Sequence, residues 1–437
     1  MNEPLDLIGV GLGPFNLSLA ALAAESGAVN YTFLDRNASF RWHPGMLLPS
    51  AYMQTYVLQD LVTAVSPRSQ FSFINYLVEQ KKIYRFLITE QQIISREEFS
   101  DYLRWACERL DGLQFSQSVE RIDFDDEKSL FKVTTHDQTL WAKNICLGTG
   151  HNPWLPKAFY PALGENCMHA AEIALRNPDF SGKRVMVVGG GQSGADVFLN
   201  ALQGHWGEPA QLDWLSRRPN FQPLDESPFT NEYFTPEYVD YFYTLPSEIR
   251  EREIKTQKLP ADGISNHTLR TLYRELYMRF DVMRQTRNVR LLPHRTLLAI
   301  ESMGEAFHLR TLHGLENRQE SFRADIIILA TGYRASLPAY LKPLLPRIPL
   351  DAEQHLPLLP NFNLDWLGPE QNRINAVNAG IHSHGSAEGG LSLMAWRSAR
   401  ILNHLLGKPC FDLAPNASMI QWWSDAAPGD ISTTADK

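Results

Sequence analysis

Cysteine is scarce in this chain: four residues, Cys107, Cys146, Cys167 and Cys410. No two stand in C-x-x-C spacing, which excludes a redox dithiol, a zinc knuckle and a disulfide framework. Reduced thiols fit a reducing compartment, so a cytoplasmic protein is expected. No run of about 18 apolar residues occurs, so no membrane span is expected. No basic n-region precedes the apolar Leu5–Val10, so no signal peptide is expected either. Long Lys/Arg runs are also missing. The balance is 41 basic against 49 acidic residues, a net charge of −8, which argues against a nucleic-acid partner. His43, His382 and His384 form no ligand pattern, so no metal is expected.

What is present is an ordinary globular composition, 44% hydrophobic and 21% charged over 437 residues. That length exceeds one compact core and predicts two or three domains. Disorder is expected only in the small, polar Asp425–Lys437. Two segments share one pattern of apolar run, glycine cluster and amphipathic helix. The first is Leu5–Val10, Gly9–Gly13 and Phe15–Ala24; the second is Arg184–Val188, Gly189–Gly194 and Ala195–Leu202. Each leads to another apolar run, Tyr31–Leu34 and Gln211–Leu215. Strand, glycine turn, helix and strand open a dinucleotide-binding βαβ unit. Two later apolar runs, Lys143–Leu147 and Asp325–Leu329, end in small residues, Gly148-Thr149-Gly150 and Ala330-Thr331-Gly332. Small residues there let backbone pass close to a bound cofactor.

The expected fold class is α/β, with two Rossmann-like dinucleotide-binding domains, the second inserted into the first. Residues 1–175 and 335–437 are expected to form the first dinucleotide-binding domain, and 176–334 the second. An aromatic and charged excursion at about 219–280 carries helical signals in Asn266–Phe280.

In the first turn, Gly9, Gly11 and Gly13 allow a pyrophosphate to approach the positive end of the next helix. Pro14 stands where the usual third glycine falls, and proline is tolerated in a first helical turn. Asp35 ends the second strand, where an acid can bind a ribose; it could also be a plain turn residue. In the second turn Gly189, Gly191, Ser193 and Gly194 follow G-x-G-x-x-G. Arg217 and Arg218 end the next strand, where a cation suits the 2′-phosphate of NADPH, although two arginines can also merely solvate a loop. Two dinucleotide sites without a cysteine pair point to FAD plus a nicotinamide cofactor in a flavin monooxygenase.

Gly9–Asn16 (GVGLGPFN), Trp42–Met46 (WHPGM), Met53-Gln54, Gly189–Gly194, Ala330–Tyr333 (ATGY) and His384-Gly385 together resemble the microbial N-hydroxylating monooxygenases of siderophore biosynthesis. Ser95–Trp105, Tyr233–Tyr238 and Leu393–Arg400 resemble the lysine N6-monooxygenase branch in particular. The resemblance spans essentially the whole chain. It implies that NADPH reduces FAD, that O₂ adds at flavin C4a, and that the resulting hydroperoxide hydroxylates a neutral amine. It also implies that Trp42, His43 and Gln54 line the flavin ring. Gly9, Gly11, Gly13, Pro14 and Asp35 then hold FAD; Gly189, Gly191, Ser193, Gly194, Arg217 and Arg218 hold NADPH; and Thr331 and Gly332 pass by a cofactor. His384–Ser392 closes over the flavin, with His384 and Gly385 at the cofactor and Leu391 and Ser392 at the substrate. Trp42 could instead be simple core, and His384 a structural histidine. A homo-oligomer, tetramer or dimer, is expected from the same resemblance.

One departure bears on the substrate. Amino-acid hydroxylases of this family carry Phe-Leu-Lys-Asp after the Met-Gln pair, the lysine binding the substrate carboxylate. This chain has Val57-Leu58-Gln59-Asp60. A neutral Gln59 forgoes a charge-assisted contact of about 1.5–3 kcal/mol, which favours a diamine, cadaverine and then putrescine. Asn231 and Asn266 match asparagines that contact amino-acid substrates in ornithine hydroxylases, which keeps L-lysine as the alternative. A different flavin monooxygenase or an oxidase is the remaining one.

Overall fold

The computed structural model describes residues 3–414 and 418–424. The expectation for Asp425–Lys437 lies outside the described residues.

A seven-stranded sheet is centred on Leu5–Val10. This strand pairs in parallel with Tyr31–Leu34 on one side and Thr139–Leu147 on the other. Leu113–Gln114 extends the sheet beyond Tyr31–Leu34. Val119–Asp125 and Leu130–Thr135 form an antiparallel meander with Thr139–Leu147. The late strand Ile374–Ala376 also pairs in parallel with Thr139–Leu147, so chain from both ends builds one sheet. Leu7 and Ile8 are fully buried, as expected of a parallel strand covered on both faces. The helix Pro14–Ser26 covers one face. It is Leu/Ala-rich, begins with proline at its first position and stops at Gly27 in the left-handed conformation, φ 59°.

A second sheet has five parallel strands, in the order Val289–Leu292, Gln211–Leu215, Arg184–Val188, Ile326–Leu329 and Cys167–His169. The last of these precedes residue 176, so the second sheet takes up chain earlier than the expected boundary. Helix Gln192–Leu202 follows the second glycine turn. The chain between Gln211–Leu215 and Val289–Leu292 makes the excursion: the helices Pro236–Thr244, Ser247–Thr256, Lys258–Asp262 and Asn266–Tyr277. A three-stranded antiparallel sheet, Arg295–Met303, Ala306–His313 and Arg318–Ala324, precedes the return.

The two crossings between the main sheets run side by side. Asn152–Pro153 pairs antiparallel with Tyr333–Arg334. Trp154 donates its backbone N–H to Gly332 O at 2.9 Å, and the Arg334 guanidinium lies 3.8 Å from the Trp154 ring centroid. Among the described residues no helix is long and apolar enough to cross a membrane.

Candidate active site

The two glycine turns share one register. Gly11 and Gly189 each follow directly on their strand, with φ 87° and 137°, a region that favours glycine. Each donates its N–H to the last residue of the neighbouring strand, Gly11 to Leu34 O and Gly189 to Leu215 O, both at 2.8 Å. Gly13 and Gly191 are both helix N-caps in extended conformation. This register corrects the expected one. Gly9 is not in the turn but within the strand, where a Cβ would fall 1.9 Å from the Phe33 ring. The first fingerprint therefore reads Gly11-x-Gly13-x-x-Asn16, and its third position is Asn16 rather than Pro14. Pro14 is simply the first helical residue. Asn16 Nδ2 donates to Gly11 O at 2.8 Å. In the second turn Gly194 occupies the same place, and Trp214 Nε1 satisfies Gly189 O at 2.7 Å.

Both turns fit a pyrophosphate. At Gly13, Gly150, Gly191 and Gly332 a Cβ would meet nothing within 4 Å, so open space faces the ends of the strands and the helix N-termini. Asp35 is nearly buried and braces the first turn: Oδ2 accepts Leu12 N–H at 2.7 Å, and Oδ1 accepts the backbone N–H of Asn37 and its Nδ2, both at 2.8 Å. The second turn has arginines at the matching strand end. Arg218 packs its stem at Gly190, where a Cβ would lie 3.5 Å from Arg218 Cδ, and Nη1 donates to Asp262 O at 3.0 Å. Arg217 is exposed beside it. Thr331 Oγ1 donates to Trp154 O at 2.5 Å, and Gly332 takes φ 94°, so both shape the crossing between the sheets.

Trp42, His43 and Gln54 come from the segment after the second strand. Trp42 packs edge-on against Phe99 at 5.1 Å and against His43 at 5.2 Å, at the margin of the main core. His43 takes φ 45°, a strained choice for a non-glycine residue. Its ring meets Tyr333 of the crossing, edge-on at 6.0 Å. The His43 side chain remains open to solvent, and its crowded surroundings, then the charge of Arg96, lower its pKa. Gly45 fixes the WHPGM turn, because a Cβ there would lie 1.7 Å from Ala171 O.

Gln54 joins the two halves of the molecule. Its Nε2 donates to Gln192 Oε1 at 3.2 Å and to Gly263 O at 3.3 Å. Gln192, the first residue of the helix after the second glycine turn, also accepts Ser265 N–H at 2.8 Å and donates to Asp196 Oδ1 at 2.7 Å and Thr268 Oγ1 at 3.1 Å. Asp196 is fully buried and pairs with Arg96 at 3.3 Å. Burial pushes the Asp196 carboxyl up, and Arg96 and Gln192 oppose that shift. Gln192, Asp196 and Arg96 carried no role from the sequence. The only hint was that Gln192 and Asp196 share a helix face four residues apart.

The substrate candidates fall in two clefts. Gln59 lines one, a crevice of only about 10 Å³, with Met53, Thr55, Phe73, Ile94 and Phe99, and its Oε1 accepts Tyr56 N–H at 3.0 Å. Asn266 lines the other, about 520 Å³, with Leu224, Asp225, Glu226, Ser227 and Leu259. Asn266 Nδ2 donates to Glu226 Oε1 at 2.8 Å, and Asn231 Nδ2 to Glu226 O at 3.3 Å. No hydrogen bond among the described residues joins Gln59 to either asparagine. Ser392 Oγ is buried without a hydrogen-bond partner, and Leu391 packs at the core margin beside it. His384 is 1% exposed and stacks on Phe362 at 4.2 Å. Its ring nitrogens meet Ser383 Oγ at 2.8 Å and Pro360 O at 3.4 Å, and burial lowers its pKa to about 3. Gly385, φ 78°, lets the chain turn against Phe242. One group of metal-type ligands exists among the described residues, Asp351, Glu353 and His355 on a mostly exposed turn. There Asp351 already bonds His355 Nδ1 at 2.8 Å.

Residues 3–335 match the family described as L-lysine 6-monooxygenase/L-ornithine 5-monooxygenase. The L-lysine N6-monooxygenase of Escherichia coli is 51% identical over 424 residues, 97% of this chain and 100% of that protein. A putrescine N-hydroxylase of Acinetobacter baumannii is 32% identical over 93% of this chain and 91% of its own. Among solved structures, the FAD-bound cadaverine monooxygenase of the desferrioxamine pathway from Erwinia amylovora aligns with a TM-score of 0.91 at 31% identity. It covers 98% of this chain and 100% of its own. With two dinucleotide turns in register and relatives matched end to end, the chain belongs to the L-lysine 6-monooxygenase/L-ornithine 5-monooxygenase family and is a flavin-dependent N-hydroxylating monooxygenase of the siderophore-biosynthesis group.

Proposed function

We propose that this protein hydroxylates the terminal primary amine of a diamine, cadaverine ahead of putrescine, in hydroxamate siderophore biosynthesis. FAD sits at the Gly11–Asn16 turn and NADPH at the Gly189–Gly194 turn, with Arg217 and Arg218 toward the 2′-phosphate. Residues 1–175 and 335–437 serve the first, apart from the strand Cys167–His169, which joins 176–334 in the second, with the excursion at about 219–280 closing over substrate. FAD held there and reduced by NADPH would supply the two electrons that activate O₂, one oxygen atom going to the amine and the other leaving as water.

The chain's own residues prepare the amine. An aliphatic ammonium has a pKa of about 10.4, and desolvation favours its neutral form. Ser392 Oγ, buried and without a hydrogen-bond partner, can accept from or donate to a polar group there.

Charge around Glu226 carries the choice of substrate. Both asparagines give an N–H to Glu226, so each amide oxygen is left to accept. Asp225 and Glu226 line the same cleft, and neither substrate cleft is lined by lysine or arginine. Carboxylates and amide oxygens attract the second ammonium of a diamine and repel an α-carboxylate.

L-lysine is the second reading, favoured by the 51% identity with the Escherichia coli enzyme. Gln59, its oxygen held by Tyr56 N–H, keeps its amide N–H groups for a carboxylate.

Coupled NADPH oxidation and hydroxylamine assays on cadaverine, putrescine, L-lysine and L-ornithine decide between them. Cadaverine is expected to exceed lysine at least tenfold in kcat/KM; lysine exceeding both diamines sinks the diamine reading. Gln59→Lys is expected to raise kcat/KM for lysine about ten- to a hundredfold, the worth of one charge-assisted contact.

Self-association as a tetramer or dimer is part of the same reading. Tyr84, Leu87 and Ile88 are 81%, 62% and 80% exposed on one short helix, an apolar surface of the kind subunits bury. Light scattering that returns a monomer removes it.

A further inference from the structure

The helix Met394–Leu406 carries a charge into the interior. Arg397 is 1% exposed and its partner Glu388 is 2% exposed. Arg397 Nη1 lies 3.6 Å from Glu388 Oε1. Its Nη2 donates to Glu388 O at 2.6 Å and reaches Ala387 O at 3.4 Å. Nε and Nη1 have no hydrogen-bond partner among the described residues. The guanidinium carbon sits 4.8 Å from the Phe15 ring and 5.3 Å from the Phe362 ring.

As a stability device this is poor. Desolvating an ion pair offsets most of its attraction, and well-packed apolar side chains of the same size do as well or better. Such a pair is better explained by what it holds in place.

Two elements meet at Arg397. One is the start of the helix after the first glycine turn, through Phe15, two residues beyond the N-cap Gly13. The other is the segment between Ile374–Ala376 and Met394–Leu406, which contains only short turns at Ile381–His384, Ser386–Gly389 and Leu391–Leu393. Its backbone includes two left-handed residues, Asn378 (φ 57°) and Gly385 (φ 78°). Regular structure does not dictate that shape. The Glu388 carboxylate does: Oε1 accepts Asn378 N–H at 2.7 Å and Oε2 accepts Gly380 N–H at 3.0 Å. Both its oxygens are thus spent on the segment, and Arg397 holds Glu388 from the other side while its flat face rests on Phe15.

We propose that Arg397 and Glu388 are a positioning pair that clamps two sides of the flavin cradle together: the helix after the first glycine turn, and the 378–390 segment, which leaves the sheet beside that turn, where Val377 N–H donates to Leu147 O at 2.9 Å and His151 Nε2 meets Asn378 O at 3.1 Å. This rests on the placement of FAD at that turn.

The test compares wild type with Arg397→Met, Arg397→Lys and Glu388→Gln, each purified, stripped of cofactor and titrated with FAD. Three quantities are measured: the FAD dissociation constant from flavin fluorescence, the visible spectrum of the bound flavin, and the melting temperature of the apoprotein. Arg397→Met is expected to bind FAD at least tenfold more weakly, with a shifted flavin band and an apoprotein that melts within a few degrees of wild type. Arg397→Lys is expected to recover part of the affinity, because it keeps the charge. Glu388→Gln, nearly isosteric but unable to accept from both backbone N–H groups, is expected to weaken FAD binding by itself. Unchanged FAD affinity and spectrum in all three variants overturn the clamp. So does a loss of affinity that only tracks apoprotein melting, with Lys no better than Met. A wild-type protein that refuses FAD is a different result, because it removes the flavin placement itself.

Discussion

The two glycine turns of this protein are built on one plan and finished differently. In each, a left-handed glycine leaves the strand, a second glycine caps the helix, and the carbonyl of the first needs a donor. The first turn supplies it from its own helix, through Asn16. The second supplies it from the neighbouring strand, through Trp214, and so needs no side chain at Gly194. The strand ends differ as well. Asp35 spends its carboxylate bracing the first turn from inside, whereas Arg217 and Arg218 stand beside the second. An acid at that place selects a ribose and a cation selects a phosphate. In the proposed reading, one backbone device serves two cofactors, and the side chains around it divide the work.

The two turns differ most at the third position. In Gly194→Asn the new Cβ would start 2.1 Å from Gly189 O. The expected result is a yellow protein that NADPH no longer reduces, read by anaerobic flavin bleaching. Full reduction would show that the two third positions are interchangeable. A smaller effect is expected at the strand end. Removing both arginines, Arg217→Ala with Arg218→Ala, should lower kcat/KM for NADPH about ten- to a hundredfold and leave NADH nearly unchanged, in line with the loss of charge-assisted contacts. An equal loss for both nicotinamides would assign the arginines to loop solvation instead.

The smallest effect is expected in the buried segment that carries His384. Burial lowers the pKa of His384 from 6.5 to about 3. Between those values the unfolded chain takes up a proton that the folded chain refuses. Stability therefore rises with pH through that window and falls as pH drops below 6.5, by up to about 1.4 kcal/mol per pH unit for one such group. His384→Phe keeps a ring stacked on Phe362 and removes the proton. Its melting temperature should drop less than that of wild type between pH 7 and pH 4.5. Parallel curves would locate the acid sensitivity elsewhere, with His43 the next candidate.

Much of the fold was legible before the structure. Apolar runs followed by glycine and an amphipathic helix are local signals, and both βαβ openings appear where that pattern stands. Register was not legible. Gly9, Gly11 and Gly13 satisfy the spacing together, and only the end of the strand at Val10 shows that Gly9 belongs to the sheet, packed on Phe33. The cofactor side of the site was partly visible, since glycines and strand-end charges lie close to their targets in sequence. The polar chain from Arg96 through Asp196 and Gln192 to Gln54 was not. Gln54 and Gln192 are 138 residues apart, and neither has a pattern of its own. Arg397 reads in sequence as one more basic residue on a helix, and its burial against Phe15 appears only when both ends of the chain share a sheet.

By itself the sequence determined that two nucleotide-binding units exist, that no thiol pair joins them, and which strand ends carry acid or arginine. These are properties of short segments, set by hydrophobic periodicity and by glycine's freedom at positive φ. Tertiary structure alone decided which glycine caps which helix, that Gln54 meets the second turn, and that a buried arginine grips both sides of the first. Such facts depend on contacts between residues far apart in the chain, and those contacts form only when the sheets close.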